Sequence, residues 1–166
     1  MEIYLVRHGV AEKRDPARWP DDRNRPLSPG GEAAMRRAAR GLATLAPEAA
    51  VLLSSPLARA WRTAEILHEE IGWPEPNEVP ELEPDCEPEE TEAALTAYAG
   101  AGSVALAGHE PHLSLFAAYL LTGDDEADIQ LKKGGVVCLE TGLGVVRGGE
   151  ATLRWLITPK ALRALA

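Results

Sequence analysis

Near the start of the chain stands Ile3-Tyr4-Leu5-Val6-Arg7-His8-Gly9. Ile3 to Val6 are β-formers in an unbroken apolar run, which predicts a short buried strand over Glu2 to Val6. That strand runs straight into a guanidinium, an imidazole and a glycine. In an open α/β sheet, ligands bind beyond the carboxyl ends of the strands, so the residues just past each further strand matter.

Two more strands end in the same way. Ala50 to Ser54 leads into Ser55-Pro56-Leu57-Ala58-Arg59, and Ser103 to Ala107 leads into Gly108-His109. Between them lie helical patterns. Ser28-Pro29 supplies an N-cap and a first helical position, and Met35, Ala38, Ala39, Leu42 and Leu45 give the helix an apolar stripe. Pro56 starts a second helix whose buried face is Leu57, Ala60, Trp61, Ala64, Leu67 and Ile71, ended by Gly72 and Pro74. Residues 74–90 read as a loop around a short strand near Val79. Helices are expected over Pro88 to Tyr98 and Pro111 to Leu121, then strands over Val136 to Leu139 and Thr152 to Ile157 joined by a Gly-rich turn. Thr158-Pro159 caps a last short helix. Residues 10–27 are polar, with Pro16, Pro20 and Pro26, and read as a long loop of the kind that tends to carry function. Strands alternating with helices predict a three-layer α/β/α sandwich with a mostly parallel sheet, the two late strands adding an antiparallel edge. No repeat or linker divides residues 1–166, so one domain is expected.

Composition narrows the function. At 45% hydrophobic and 26% charged the chain is ordinary globular protein. Its apolar runs are too short to span a bilayer, and the start lacks the basic segment and long apolar middle of a signal peptide. A cytoplasmic protein without a membrane partner is expected. The net charge of -9 argues against nucleic acid. Cys86 and Cys138 form no C-x-x-C pair and read as a loop and a core residue. The charge is unevenly spread: residues 1–62 carry 11 Lys/Arg against 7 Asp/Glu, residues 63–166 carry 6 against 19, and no Lys or Arg falls between Thr63 and Leu131. The groups able to bind an anion are therefore concentrated in the first third of an acidic protein.

If the three strands are parallel neighbours, Arg7, His8, Arg59 and His109 meet at one sheet edge. Each has an ordinary explanation singly: a surface ion pair, a satisfied histidine, a turn residue. Arg59, however, falls in the first turn of its helix, where a cation is slightly unfavourable and a bound anion supplies a reason. Together the four suit a phosphoryl group, whose oxygens match arginine forks and whose transfer depends on positioning and charge stabilisation. A neutral imidazole can take the group covalently. Gly9 would let backbone approach the anion, and the start of the helix after Pro56 would add donors.

These residues resemble the histidine phosphatase superfamily, in the branch that contains cofactor-dependent phosphoglycerate mutases and the phosphohistidine phosphatase SixA. The resemblance rests on Leu5-Val6-Arg7-His8-Gly9, on Arg25-Pro26-Leu27-Ser28-Pro29-Gly30-Gly31, on Ser54-Ser55-Pro56-Leu57-Ala58-Arg59-Ala60-Trp61-Arg62-Thr63-Ala64, and on Gly108-His109-Glu110-Pro111, in family order from Glu2 to about Tyr119. It implies a phosphoglycerate mutase-like fold, His8 as phosphorylated nucleophile, and Arg7, Arg59 and His109 around the phosphoryl group. Arg25 would be an additional contact, and no metal or nucleotide would be required. Arg62 stands where many members have glutamine. The mutases' catalytic glutamate motif continues into glycines, whereas Val79-Pro80-Glu81-Leu82-Glu83-Pro84-Asp85 has none. Glu81 is the candidate acid and Asp85 the next, against the reading of a solvated acidic loop. Chain length, Pro-Glu-Leu-x-Pro and Gly-His-x-Pro are closer to the SixA-like group.

The expected substrate is accordingly phosphohistidine in a protein. An imidazole of pKa about 6.5 leaves without a strong general acid, as an alcohol does not. A small phosphate ester is the alternative. A metal-dependent hydrolase built on His8, His109 and His112 is a further reading, disfavoured by two adjacent arginines and by the lack of an H-E-x-x-H string. A non-catalytic phospho-partner-binding module would have no use for His8 as a nucleophile.

Overall fold

The computed structural model describes residues 1–124, 127–142 and 146–166. Six strands form one sheet: β1 (Glu2–Arg7), β2 (Val51–Ser54), β3 (Asn77–Glu78), β4 (Ser103–Gly108), β5 (Val136–Glu140) and β6 (Thr152–Ile157), in the order β3-β2-β4-β1-β5-β6. β3, β2, β4 and β1 run parallel; β5 pairs antiparallel with β1 and β6 antiparallel with β5, so the late strands form the expected antiparallel edge. The Gly-rich turn between β5 and β6 lies in part outside the described residues.

The unbroken apolar run of β1 exists because both faces of the sheet are covered. Tyr4 and Val6 pack under α1 (Pro29–Leu42), α2 (Ala58–Ile71) and α5 (Pro159–Leu165), with Met35, Ala38, Leu42, Leu67 and Leu162. Ile3 and Leu5 face α3 (Pro88–Leu95) and α4 (His112–Thr122), with Leu95, Leu113, Phe116 and Leu120. β4 divides likewise, Ala105 and Ala107 to one layer and Val104 and Leu106 to the other. The result is the expected three-layer α/β/α sandwich.

Local differences from the sequence expectation have simple causes. Ser28 caps α1 by accepting from the Gly31 N–H, but the helix ends at Leu42 and Leu45 is exposed, because the Thr44 hydroxyl bonds the Gly41 carbonyl in a closing turn ahead of Pro47. Helix α2 starts at Ala58, two residues after Pro56. Ile66 is fully buried on it, while Trp61 stands at the margin of the buried face. The strand near Val79 ends at Glu78, before a short 3-10 turn over Pro80–Leu82. No helix among the described residues is long and apolar enough to cross a membrane.

Candidate active site

The parallel register levels three strand ends. Arg7 lies opposite Gly108, and Val6 and Ser54 both lie opposite Ala107. Backbone bonds continue past the strands: His8 N–H donates to Gly108 O at 3.0 Å and Ser55 N–H to Ala107 O at 3.0 Å. Behind them the Gly134 N–H reaches the carbonyls of both Arg7 and His8. The loop residues after β1, β2 and β4 are thus held almost as firmly as the sheet itself.

His8 is buried, and its Nδ1 lies 2.6 Å from the Gly9 carbonyl. A carbonyl can only accept, so Nδ1 carries the proton and Nε2 keeps its lone pair. Burial foremost, aided by the charges of Arg59, Arg7 and Lys133 and opposed by the Gly9 carbonyl, pushes the imidazole down to about 3. At neutral pH the ring is uncharged, which is its nucleophilic form.

His109 faces His8 with ring centroids 5.1 Å apart. Its Nε2 is 2.9 Å from Ser55 Oγ; that oxygen accepts from the Leu57 N–H and gives its own proton to Nε2, so the neutral ring carries its proton on Nδ1. Burial, then the neighbouring His8, Arg59, His112 and Arg7, pushes this ring down to about 2. The two histidines cannot both be charged at such a separation unless an anion joins them.

Arg7 and Arg59 bring two guanidiniums to the same place. Arg7 Nη1 donates to Leu131 O at 2.7 Å, and Arg59 Nη1 donates to Asp22 O at 2.9 Å and lies 3.3 Å from Asp22 Oδ2. Burial acts against both charges. Among the described residues, the buried side-chain nitrogen and oxygen atoms without a hydrogen-bond partner are Arg7 Nε, Arg59 Nε, His109 Nδ1, Glu110 Oε1 and Trp19 Nε1. Four of these five belong to the sheet-edge cluster. Buried polar groups are normally satisfied, so three unpaired nitrogens among two cations and two neutral rings describe a receptor for an oxyanion.

The cluster opens into a cleft of about 500 Å³ lined by Arg14, Asp22, Arg25, Arg59, Asp85 and Glu110, among others. Arg25 is on its wall, with Nε donating to Asp22 Oδ1 at 2.7 Å and Nη1 to Glu12 O at 2.9 Å. Its guanidinium orders the loop after β1 and, through Asp22, Arg59. Gly9 differs from the expectation. Its N–H donates to Thr63 Oγ1 and so is not offered to an anion, and a Cβ there would press on Met35 and Leu27 at 3.3–3.4 Å. The glycine serves close packing of the loop on α1. Glu81 also differs: it does not line the cleft, and its carbonyl accepts from Thr91 Oγ1 at 2.7 Å because the 3-10 turn pins it to α3. Asp85 does line the cleft, exposed.

Four residues with no expected role take part. Ser55 orients His109, Thr63 ties α2 to Gly9 while donating to Arg59 O, Asp22 holds Arg59 and Arg25, and Glu110 lines the cleft. Only Glu110 carried a sequence signal, as the acid directly after His109. His112 is a cross-brace: Nε2 lies 2.8 Å from Thr91 Oγ1 and Nδ1 2.8 Å from Cys86 O, so both ring nitrogens are engaged and neither is offered to a metal shared with His109.

A neutral histidine with a free Nε2 lone pair, a second histidine and two arginines stand together at the end of a parallel sheet, an arrangement able to hold an oxyanion against an imidazole nitrogen. The chain belongs to the histidine phosphatase superfamily (branch 1), whose profile it matches over residues 3–85, and it is a phosphatase. An uncharacterized protein of Picosynechococcus sp. is 33% identical over 165 residues, covering 98% of this chain and 99% of its own. The structure of the protein histidine phosphatase SixA complexed with tungstate superposes with a TM-score of 0.85 at 26% identity, over 98% of this chain and 99% of that one. The alpha-ribazole phosphatase of Shigella flexneri shares the fold, with a TM-score of 0.74 at 19% identity over 96% and 97% of the two chains.

Proposed function

We propose that this phosphatase removes a phosphoryl group from phosphohistidine in a protein, through a covalent phosphohistidine on His8. The observation that carries the mechanism is the unpaired donor set of Arg7, Arg59 and His109 around a neutral His8. The phosphoryl oxygens satisfy those donors, and His8 Nε2 attacks phosphorus opposite the leaving group. A P–N bond forms as the bond to the leaving group breaks, and water then returns His8 and releases phosphate. Arg25 acts through Asp22 on the position of Arg59. The likeness to SixA over nearly the whole of both chains, and an open cleft with room for a protein side chain, support a protein substrate.

Hydrolysis of a small phosphate ester by the same residues is the second reading, favoured by the shared fold of an alpha-ribazole phosphatase. Comparing kcat/KM for a phosphohistidine-bearing protein with sugar phosphates and phosphoglycerates separates the two. The phosphohistidine protein should lead by at least tenfold; esters ahead by that margin would overturn the first reading. His8→Ala should retain the fold, fail to take a phosphoryl label and lose turnover, and steady-state activity in that variant would remove the mechanism.

A further inference from the structure

We propose that Glu110 is the proton donor to the leaving group and the base that activates water in the second step. The inference rests on the reading of His8 as nucleophile and adds to it the carboxyl group that the acidic segment 81–85 does not supply.

Glu110 follows His109 directly and lines the cleft that Arg59, Arg25 and Asp22 also line. Ser114 Oγ donates to its Oε2 at 2.6 Å, which fixes the carboxyl from the first full turn of α4. Its Oε1 is shielded from water and has no partner. It is thus the one oxygen in a cluster whose other unpaired atoms, Trp19 aside, are the nitrogens of Arg7, Arg59 and His109. An ionised carboxylate facing a phosphoryl dianion would repel it, whereas a protonated one can donate to it or to the departing atom. Burial raises the pKa of Glu110, with Ser114 and the charge of Arg7 opposing; both the direction and its cause favour the protonated form that the first step needs. The other carboxylates of the cleft are differently placed: Asp21 is exposed and accepts from the Arg23 N–H, Asp22 is tied to Arg25 and Arg59, Glu83 to Arg23, and Asp85 is exposed.

The protons balance over the two steps. First, His8 Nε2 bonds phosphorus, the bond from phosphorus to the leaving atom breaks, and the Glu110 proton passes to that atom. Second, water oxygen attacks the phosphoryl on His8, the P–N bond breaks, and the water proton returns to the Glu110 carboxylate. An alcohol leaving group needs the first transfer most. The second is common to every substrate. Glu110 therefore extends the range of this site from phosphohistidine to esters with poor leaving groups.

The test is Glu110→Gln, which keeps size and an acceptor for Ser114, assayed on 4-nitrophenyl phosphate and on an alkyl phosphate, with intact-mass detection of phosphorylated His8. General acid–base groups contribute on the order of 10²–10⁴-fold. Glu110→Gln should lose at least 100-fold in kcat/KM on the alkyl ester and under tenfold on 4-nitrophenyl phosphate. It should also show a burst of 4-nitrophenol and accumulate the phosphoenzyme. Equal losses on both esters, or no accumulation, would overturn the role of Glu110. Failure of the wild-type protein to form any phosphoenzyme would instead overturn the His8 reading. Should Glu110→Gln not fold, Glu110→Asp, which withdraws the carboxyl by one methylene, must show the same leaving-group bias in smaller degree.

Discussion

His8 is neutral because it is buried among positive charges, and its neutrality bears on stability. Its native pKa near 3 and that of His109 near 2 lie below the unfolded histidine value of about 6.5. Between those limits the unfolded chain binds protons that the native protein refuses. Stability must therefore fall as pH drops from about 6.5 towards 3, by roughly 1.4 kcal/mol per pH unit for each ring. Glu110, whose pKa is raised, acts in the opposite sense: its contribution is present at low pH and lost as pH rises. Urea midpoints between pH 7 and 4 should show the acid decline, and His8→Ala should reduce the slope by about one proton. An unchanged slope would mean that His8 is not the buried neutral ring described.

At the scale of elements, the site depends on how α1 meets its neighbours. A Cβ on Gly31 would lie 1.9 Å from the Val10 carbonyl oxygen, and one on Gly41 would lie 1.8 Å from that of Leu162. Both contacts are with backbone, so alanine at either position forces a shift, and overpacking of this kind costs about 1–3 kcal/mol. The functional outcomes should differ. Val10 follows His8-Gly9 and bonds Ser28, so Gly31→Ala should lower kcat/KM together with the melting temperature. Gly41 packs on Leu162 and Ala166 at the end of α5 and has no contact of this kind with the loop after β1, so Gly41→Ala should lower the melting temperature and leave kcat/KM within about twofold. Arg62 also belongs to this scale. It bonds Glu32 on α1 and Glu65 and Glu69 on its own helix, beside Arg36 and Arg40 bonded to Glu70. These pairs are half-exposed, so their contribution is modest, and they give Arg62 a structural place on α2 apart from the cleft.

The whole molecule carries -9 yet exposes a cleft with several arginines. Those arginines are interleaved with Asp21, Asp22, Glu83 and Asp85 on the same walls. A small oxyanion can reach the inner donors, while a polyanion meets outer arginines already paired with carboxylates, Arg14 with Asp22 and Arg23 with Glu83. Tungstate should therefore inhibit competitively against 4-nitrophenyl phosphate, while heparin at about 0.15 M salt, where exposed charges are screened beyond roughly 8 Å, should neither inhibit nor retain the protein. Inhibition by heparin at that salt would show that these carboxylates do not offset the outer arginines.

Much of this was legible in the sequence. Apolar runs and caps placed β1, β2, β4 and the starts of α1 and α5, since these depend on side-chain periodicity and local hydrogen bonds that the chain carries with it. Arg7, His8, Arg59 and His109 were identifiable because each closes or follows such an element. Relations between segments distant along the chain were beyond its reach. The strand order that sets β4 between β1 and β2 decides that His8 meets His109. The side-chain pairings Ser55 with His109 and Asp22 with Arg59 depend on that order. The choice among carboxylates also belongs to the fold. Glu81 and Glu110 are both glutamates next to a motif, but the 3-10 turn after β3 ties the first to α3, and the start of α4 turns the second into the cleft. The sequence by itself determined the chemistry available to this protein; the tertiary structure decided which groups meet, because burial and distance set their charge.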